Sequence, residues 1–211
     1  MRGTTSLLSR LGRYRRDAQG VVALEFAFLA IPFLFMIMAL LELALVFLVS
    51  AALDTAMERA ARTIRTGGLQ TSAAFAGLSG TALEDAQETA FETQVCREMG
   101  WLVTGCRNAL YVDVRTFADW AATNTCDPIR PPAGGGGPTF DEDAILFRAG
   151  GPRDIVLVRG YYRWPLITPF VSQALVDLQG GVKLITSTQT FRNEPYAAPG
   201  TTTHPTTTCP A

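Results

Sequence analysis

Apolar positions are gathered at one end of this chain and patterned differently along the rest. From Phe26 to Val49 the only charged residue is Glu42. As a helix that run would be about 36 Å long, enough to cross a hydrocarbon core of about 30 Å. A signal-peptide core is shorter, about 7 to 15 residues, and leads into a small-residue cleavage site. No Ala-x-Ala exit follows here, so the pattern predicts a membrane helix. Beyond it Leu53, Met57, Ala60, Ala61 and Ile64 recur at helical spacing. Gly67 and Gly68 then supply the residue type that ends helices. The pattern therefore predicts one long helix from about Val21 to Thr66, with its lower part in lipid and its upper part amphipathic. Pro32 lies inside it and removes one backbone hydrogen bond, which membrane helices tolerate.

Downstream the period changes twice. After the loop GGLQTSAAFAGLSG, whose Ala-Ala-Phe-Ala core suits a short helical turn, Thr81 and Glu84 form a capping-box pattern. Leu83, Ala86, Ala90, Phe91, Val95 and Met99 make the stripe of a second, amphipathic helix ending at Gly100. Three segments then read as strands: Leu110 to Phe117, Asp154 to Trp164 (stopping before Pro165) and Gly181 to Arg192. The connector PIRPPAGGGGP separates the first two. A hydrophobic helical turn around Phe170 to Leu178 is placed between the last two. A sheet with one buried face needs a cover, and the helices supply it. The fold class is α+β: a long N-terminal transmembrane helix, then a small domain with an amphipathic helix and a three- to four-stranded antiparallel sheet.

Charge adds orientation. Arg2, Arg10, Arg13, Arg15 and Arg16 precede the span against the single acid Asp17, whereas Arg59, Arg62 and Arg65 are mixed with Asp54 and Glu58. The positive-inside rule then puts the N-terminus in the cytoplasm and everything from about Ala52 outside it. The formal net charge is -1, with no basic stripe beyond the leader, so nucleic acid is not an expected partner.

All four cysteines, Cys96, Cys106, Cys126 and Cys209, follow the span. That placement suits disulfides in an exported domain. Four cysteines allow three pairings. Cys96 with Cys106 closes the shortest loop and would leave Cys126 for Cys209. No Cys-x-x-Cys or His/Cys spacing suggests zinc, and no metal or cofactor is expected. Gly134 to Gly137 lacks the Lys-Ser/Thr of a phosphate loop. Counted from Asp141, the acidic FDEDA segment has Leu146 and Pro152 where a calcium loop needs glycine and glutamate. The single histidine, His204, sits in the Thr/Pro-rich tail. No convergent constellation marks an enzyme.

Two carboxylates in the apolar segment remain. Glu42 has two readings: it snorkels to the outer interface, or it makes a polar contact with another helix of an assembly. Glu25 on its own would be a headgroup-level carboxylate favoured by the helix dipole. Its setting says more: a basic leader, Gly20, four apolar residues, Glu25, Phe26 and a long apolar run. This resembles the class III signal of type IV prepilins, in which a prepilin peptidase cuts after the glycine on the cytoplasmic side. Val21 would become the N-terminus and Glu25 the fifth residue. The new ammonium would meet a carboxylate of a neighbouring subunit displaced by about one turn, where screening is poor.

The resemblance extends further. GVVALEFAFLAIPFLFMIMALLELA, AARTIRTG, the Cys96 and Cys106 pair before YVDVRTF, the YYRWPL segment and FRNEPY resemble, in that order, the pattern of TadE-like proteins, minor pseudopilins of tight-adherence (Tad/Flp) pili. The tail with Cys209 departs from that pattern. The resemblance implies a non-catalytic role in pilus assembly or initiation, and so in surface attachment and biofilm formation. The implied partners are a prepilin peptidase, other Tad pilins or pseudopilins and inner-membrane assembly proteins. It implies residues 1–20 as a cleaved leader, 21–66 as the long helix (transmembrane over about 21–50), 67–196 as a periplasmic domain and 197–211 as a tail. Gly20 and Val21 would serve processing and Glu25 subunit registration. The competing expectation is an unprocessed, single-pass, membrane-anchored periplasmic binding or scaffold protein, in which Glu25 has no special task.

Overall fold

The computed structural model describes residues 18–100, 105–117, 119–122, 126–132, 136–168 and 171–197. The fold is α+β, with a long apolar helix at its start. Helix α1 runs over Ala18–Arg65, 48 residues, with Pro32 inside it. The chain divides into two units, Met1–Leu43 and Ala44–Ala211. In the first, apolar side chains are exposed all round the helix: Phe26, Phe28, Leu29, Ile31, Phe33 and Leu34 point to every side. A helix hydrophobic on all faces belongs in lipid or among other helices.

In the second unit the remainder of α1 is core. Val46, Val49, Leu53, Ala56, Met57, Ala60 and Ile64 are buried at helical spacing. Helix α2, Thr81–Met99, adds Phe91, Val95 and Met99. The Phe91 ring lies 5.8 Å from that of Phe147. The predicted capping box at Thr81 does not form. Gly80, at φ 60°, is the cap, with no side-chain hydrogen bond. Its carbonyl accepts from the Leu83 and Glu84 amides, and the Glu84 carboxylate instead reaches Arg148 at 3.3 Å. Thr81 is already inside the helix, so its hydroxyl is past the cap position. The Ala-Ala-Phe-Ala turn is present as a 3-10 turn at Ala73–Phe75.

Strands β1 (Leu110–Phe117), β4 (Ile155–Pro165) and β5 (Val182–Arg192) form an antiparallel sheet in the order β1-β4-β5. The central register is Val112 opposite Gly160 opposite Ser187. Pro165 joins β4 as its last residue, paired with Val182; proline is tolerated at such an end. Between β4 and β5 lies the short helix α3, Val171–Leu175. One sheet face, with Leu110, Val112, Val114, Val156, Val158, Tyr162 and Ile185, packs into the core with α1 and α2. Gly160 is what lets helix and sheet touch. A Cβ there would come within 2.8 Å of Met57 Sδ.

The alternation in β1 suggests one buried face, but the structure buries both. The second face carries Asp113, Arg115, Leu157, Arg159 and Tyr161, all buried. Its cover comes from the proline- and glycine-rich connector and the segment after it. Those residues form the short ladder β2 (Ile129–Arg130) with β3 (Thr139–Phe140), and Tyr111, Ile129, Phe140 and Ile145 pack around Tyr161, Leu178 and Leu184. The following segment lines the edge of β1, where Val114 exchanges backbone hydrogen bonds with Leu146 and Arg148 at 2.7 and 2.8 Å.

Candidate functional site

Gly20, Val21 and Glu25 lie in the opening turns of α1. Glu25 and Val21 are exposed, among exposed apolar neighbours. No packing in the first unit accounts for a carboxylate there. Glu42, by contrast, is only 5% exposed. The two acids are about 25 Å apart along the helix at 1.5 Å per residue, so they do not form one site.

The far end of α1 is locked by the FRNEPY segment, Phe191 to Tyr196. Its partners are distant in sequence. The Glu194 amide donates to the Arg65 carbonyl at 2.8 Å, and the Arg65 guanidinium approaches the Glu194 carboxylate at 3.3 Å. Both side chains are about half exposed, so that ion pair contributes at most about 1 kcal/mol. More comes from the buried amides. Asn193 Nδ2 donates to the carbonyls of Ala149 and Gly151 at 3.2 and 2.9 Å. Gln70 Nε2 donates to those of Ile64 and Ala149 at 3.1 and 2.9 Å. The Tyr196 hydroxyl donates to Gly150 O at 3.2 Å. Its ring occupies the space a side chain at Gly67 would take, and Gly67 has φ +78°. Burial, helped by Asp154, pushes the Tyr196 hydroxyl up to about 12, which keeps it a donor.

Sequence reasoning missed the strongest polar cluster. Asp113 is fully buried between two guanidinium groups. Arg115 Nε donates at 2.9 Å to one carboxylate oxygen, and Arg159 Nη2 at 2.6 Å to the other. The Leu146 amide adds a third donor at 3.0 Å. Remaining guanidinium protons go to Ala144 O at 2.6 Å, from Arg115, and to Cys126 O at 2.7 Å, from Arg159. Every element of this cluster is tied to another, which describes a scaffold joining the connector to the sheet. The available signal was an arginine, Arg159, directly after the apolar run Ile155 to Val158.

The acidic FDEDA segment is also absorbed by the scaffold. Asp141 caps a 3-10 turn through the Asp143 amide at 3.1 Å and pairs with Arg130 at 2.8 Å. Glu142 accepts from the Tyr111 hydroxyl at 2.7 Å. Among the described residues no group of three or more His, Cys, Asp or Glu is placed to hold a metal ion. On α2, burial and the neighbouring Glu88 raise Glu92 to about 7, partly offset by Arg107. Burial first, then Asp85 and Asp113, also raises Glu88.

Cys96 and Cys106 are joined in a disulfide, with Cα atoms 5.7 Å apart. The bond links the last turns of α2 to the entry of β1. Cys126 is also disulfide-bonded; Cys209 lies outside the described residues, as does His204.

Among the described residues α1 contains the one helix long and apolar enough to cross a membrane. By length and composition that helix could span a membrane, which is consistent with a membrane-anchored protein. Residues 20–62 match the family described as TadE-like protein. The match opens at Gly20 and runs along α1 to Arg62, so YVDVRTF, YYRWPL and FRNEPY lie beyond it. No curated protein and no solved structure matches the chain.

Proposed function

We propose that this chain is a TadE-like minor pseudopilin of a Tad/Flp pilus, acting in pilus assembly or initiation and thereby in attachment and biofilm formation. The observation that carries the reading is the spacing of Gly20 and Glu25 at the head of an apolar helix, within a segment that matches the TadE-like family. A prepilin peptidase cuts after Gly20 and leaves an ammonium on Val21. Glu25 of a neighbouring subunit, shifted by about one helical turn, neutralises it; charges in poorly screened surroundings need such partners. The basic leader stays cytoplasmic, the span lies in the inner membrane, and the domain over 67–196 is periplasmic. Other pilins, pseudopilins and inner-membrane assembly proteins are its partners, and the role is structural rather than enzymatic. Cys126 pairs with Cys209, which ties the 197–211 tail to the domain.

Mass spectrometry of the membrane-fraction protein, from cells with and without the peptidase, tests this. A terminus at Val21 that appears only with the peptidase is the expected result. An intact Met1 in both would overturn processing and return Glu25 to the role of an interfacial carboxylate.

A further inference from the structure

The disulfide sulfurs of this domain are set in opposite surroundings. Cys96 and Cys106 bond to each other, and Cys106 belongs to the apolar core. Its sulfur lies 4.0 Å from Met99 Sδ, and among the described residues no cationic side chain donates to it. Cys126 is disulfide-bonded as well. Its proposed partner is Cys209, the one cysteine of the chain that remains. Cys126 is also buried, but its neighbours are charged. Arg115 Nη1 donates to Cys126 Sγ at 3.2 Å, and Arg159 Nη2 donates to the Cys126 carbonyl at 2.7 Å.

The charges around that sulfur do not cancel. Asp113 is one carboxylate between two guanidinium groups, Arg115 and Arg159, and all three residues are buried. Asp127, the next carboxylate along the chain, is exposed and accepts from the Ile129 amide. The buried cluster thus holds one positive charge in excess, and a buried charge without a counter-charge is costly. A thiolate on Cys126 supplies that counter-charge at hydrogen-bonding distance from Arg115. Charge-assisted hydrogen bonds are strong, and a cation beside a cysteine favours its thiolate. At Cys106 the same negative charge would stand in an apolar core with no cation to hold it.

We infer that the Cys126 disulfide is a thiol-exchange site, with Cys126 as the leaving sulfur and a dithiol protein reductant as the partner. Burial keeps a nucleophile from Cys126 Sγ, so the thiolate of the reductant attacks the sulfur of Cys209. A bond forms between those two sulfurs, the Cys209–Cys126 bond breaks, and its electron pair stays on Cys126 Sγ as a thiolate beside Arg115. The second thiol of the reductant then displaces Cys209, and its proton passes to the Cys209 sulfur. The reductant leaves oxidised to its own disulfide. A more stable leaving thiolate makes such exchange faster. The domain then has one tie that opens, at Cys126, and one that stays closed, between α2 and β1. The inference rests on the pairing of Cys126 with Cys209, and the test separates the two.

Full-length protein in detergent micelles is first digested in acid without reductant, and its linked peptides are identified by mass spectrometry. Cys126 linked to anything other than Cys209 removes the pairing and the inference with it. With the pairing present, folded protein is exposed to limiting dithiothreitol at neutral pH and quenched at intervals with an alkylating agent, and the label on each cysteine is measured. Cys126 and Cys209 are expected to be labelled together, at least about tenfold faster than Cys96 and Cys106. Equal rates, or earlier opening of Cys96–Cys106, overturn the inference and leave the pairing intact. Two variants distinguish a stabilised leaving sulfur from easier access. Arg115→Lys keeps a cation and should keep the fast exchange, whereas Arg115→Gln should slow it towards the rate of the other bond. Near-UV circular dichroism confirms that each is folded at the temperature used. A folded Arg115→Gln protein that exchanges as fast as wild type also overturns the inference, and the wild-type comparison stands whether or not that variant folds.

Discussion

Replacing Asp113 by alanine strands two buried guanidinium groups. In the native domain its two oxygens accept from Arg115 Nε, from Arg159 Nη2 and Nε, and from the Leu146 amide, all within 3.1 Å. Breaking a buried ion pair by removing one partner costs about 3 to 5 kcal/mol, because the other charge stays buried without compensation. A domain of ordinary stability has only about 5 to 15 kcal/mol in total. With a urea slope of about 2 kcal/mol per molar, Asp113→Ala should lower the unfolding midpoint by about 2 M. The assay is a urea titration of the full-length protein in detergent micelles, followed by tryptophan fluorescence. Asp113→Asn keeps the shape and one acceptor but not the charge, so it should fall between alanine and wild type. The triple variant Asp113→Leu, Arg115→Met, Arg159→Met removes every buried charge of the cluster and should be more stable than Asp113→Ala alone. Two results refute the reasoning: a shift for Asp113→Ala no larger than that of the peripheral Glu98→Ala, or a triple variant weaker than the single.

Other consequences can be measured in the same way. Gly67→Ala meets both a left-handed backbone and the Tyr196 ring, at a cost of about 2 to 4 kcal/mol. Gly77→Ala, with φ +86° and nothing within 4 Å, should show only the backbone part, and equal melting shifts for the two would discount the ring contact. Serine at both Cys96 and Cys106 should cost about 2 to 3 kcal/mol for a loop with a sequence separation of 10, read from melting without reductant. Glu92, with its pKa raised to about 7 from 4.5, binds more protons folded than unfolded between those values. It therefore lowers stability as pH rises through that window. Glu92→Gln should stabilise the domain at pH 8, change little at pH 4.5 and flatten the profile between; a gain independent of pH would contradict this. Glu25→Ala should leave both melting and cleavage after Gly20 unchanged while abolishing sheared surface pili, and normal piliation would remove its role in registration.

Where a pattern repeats locally, the residues themselves showed the element. The helix predicted from about Val21 to Thr66 is found over Ala18–Arg65, and β1 has the predicted ends. What the sequence concealed depends on contacts between remote residues. Asp113 and Arg115 alternate with valines and so read as a solvent face, because charged residues are rarely buried without partners. They are buried because Arg159 and the carbonyls of Cys126 and Ala144 arrive from far along the chain. Likewise Asn193 and Tyr196 look like turn residues until the Ala149–Gly151 segment and Gly67 are set against them. Gly20, Val21 and Glu25 remain a pattern of the sequence: Val21 and Glu25 are exposed on the helix, and no contact within the first unit adds to their spacing.

The burial of α1 against the sheet from Val46 to Ile64 also has a mechanical side. Tension applied along the helix at Ala44 runs along the row of buried side chains that join it to the core. The side chains from Val46 to Ile64, with Met57 against Gly160, are then loaded together in shear instead of being peeled one at a time. The lock at Arg65, Gly67 and Tyr196 lies at the opposite end, so it is the last place such a load reaches.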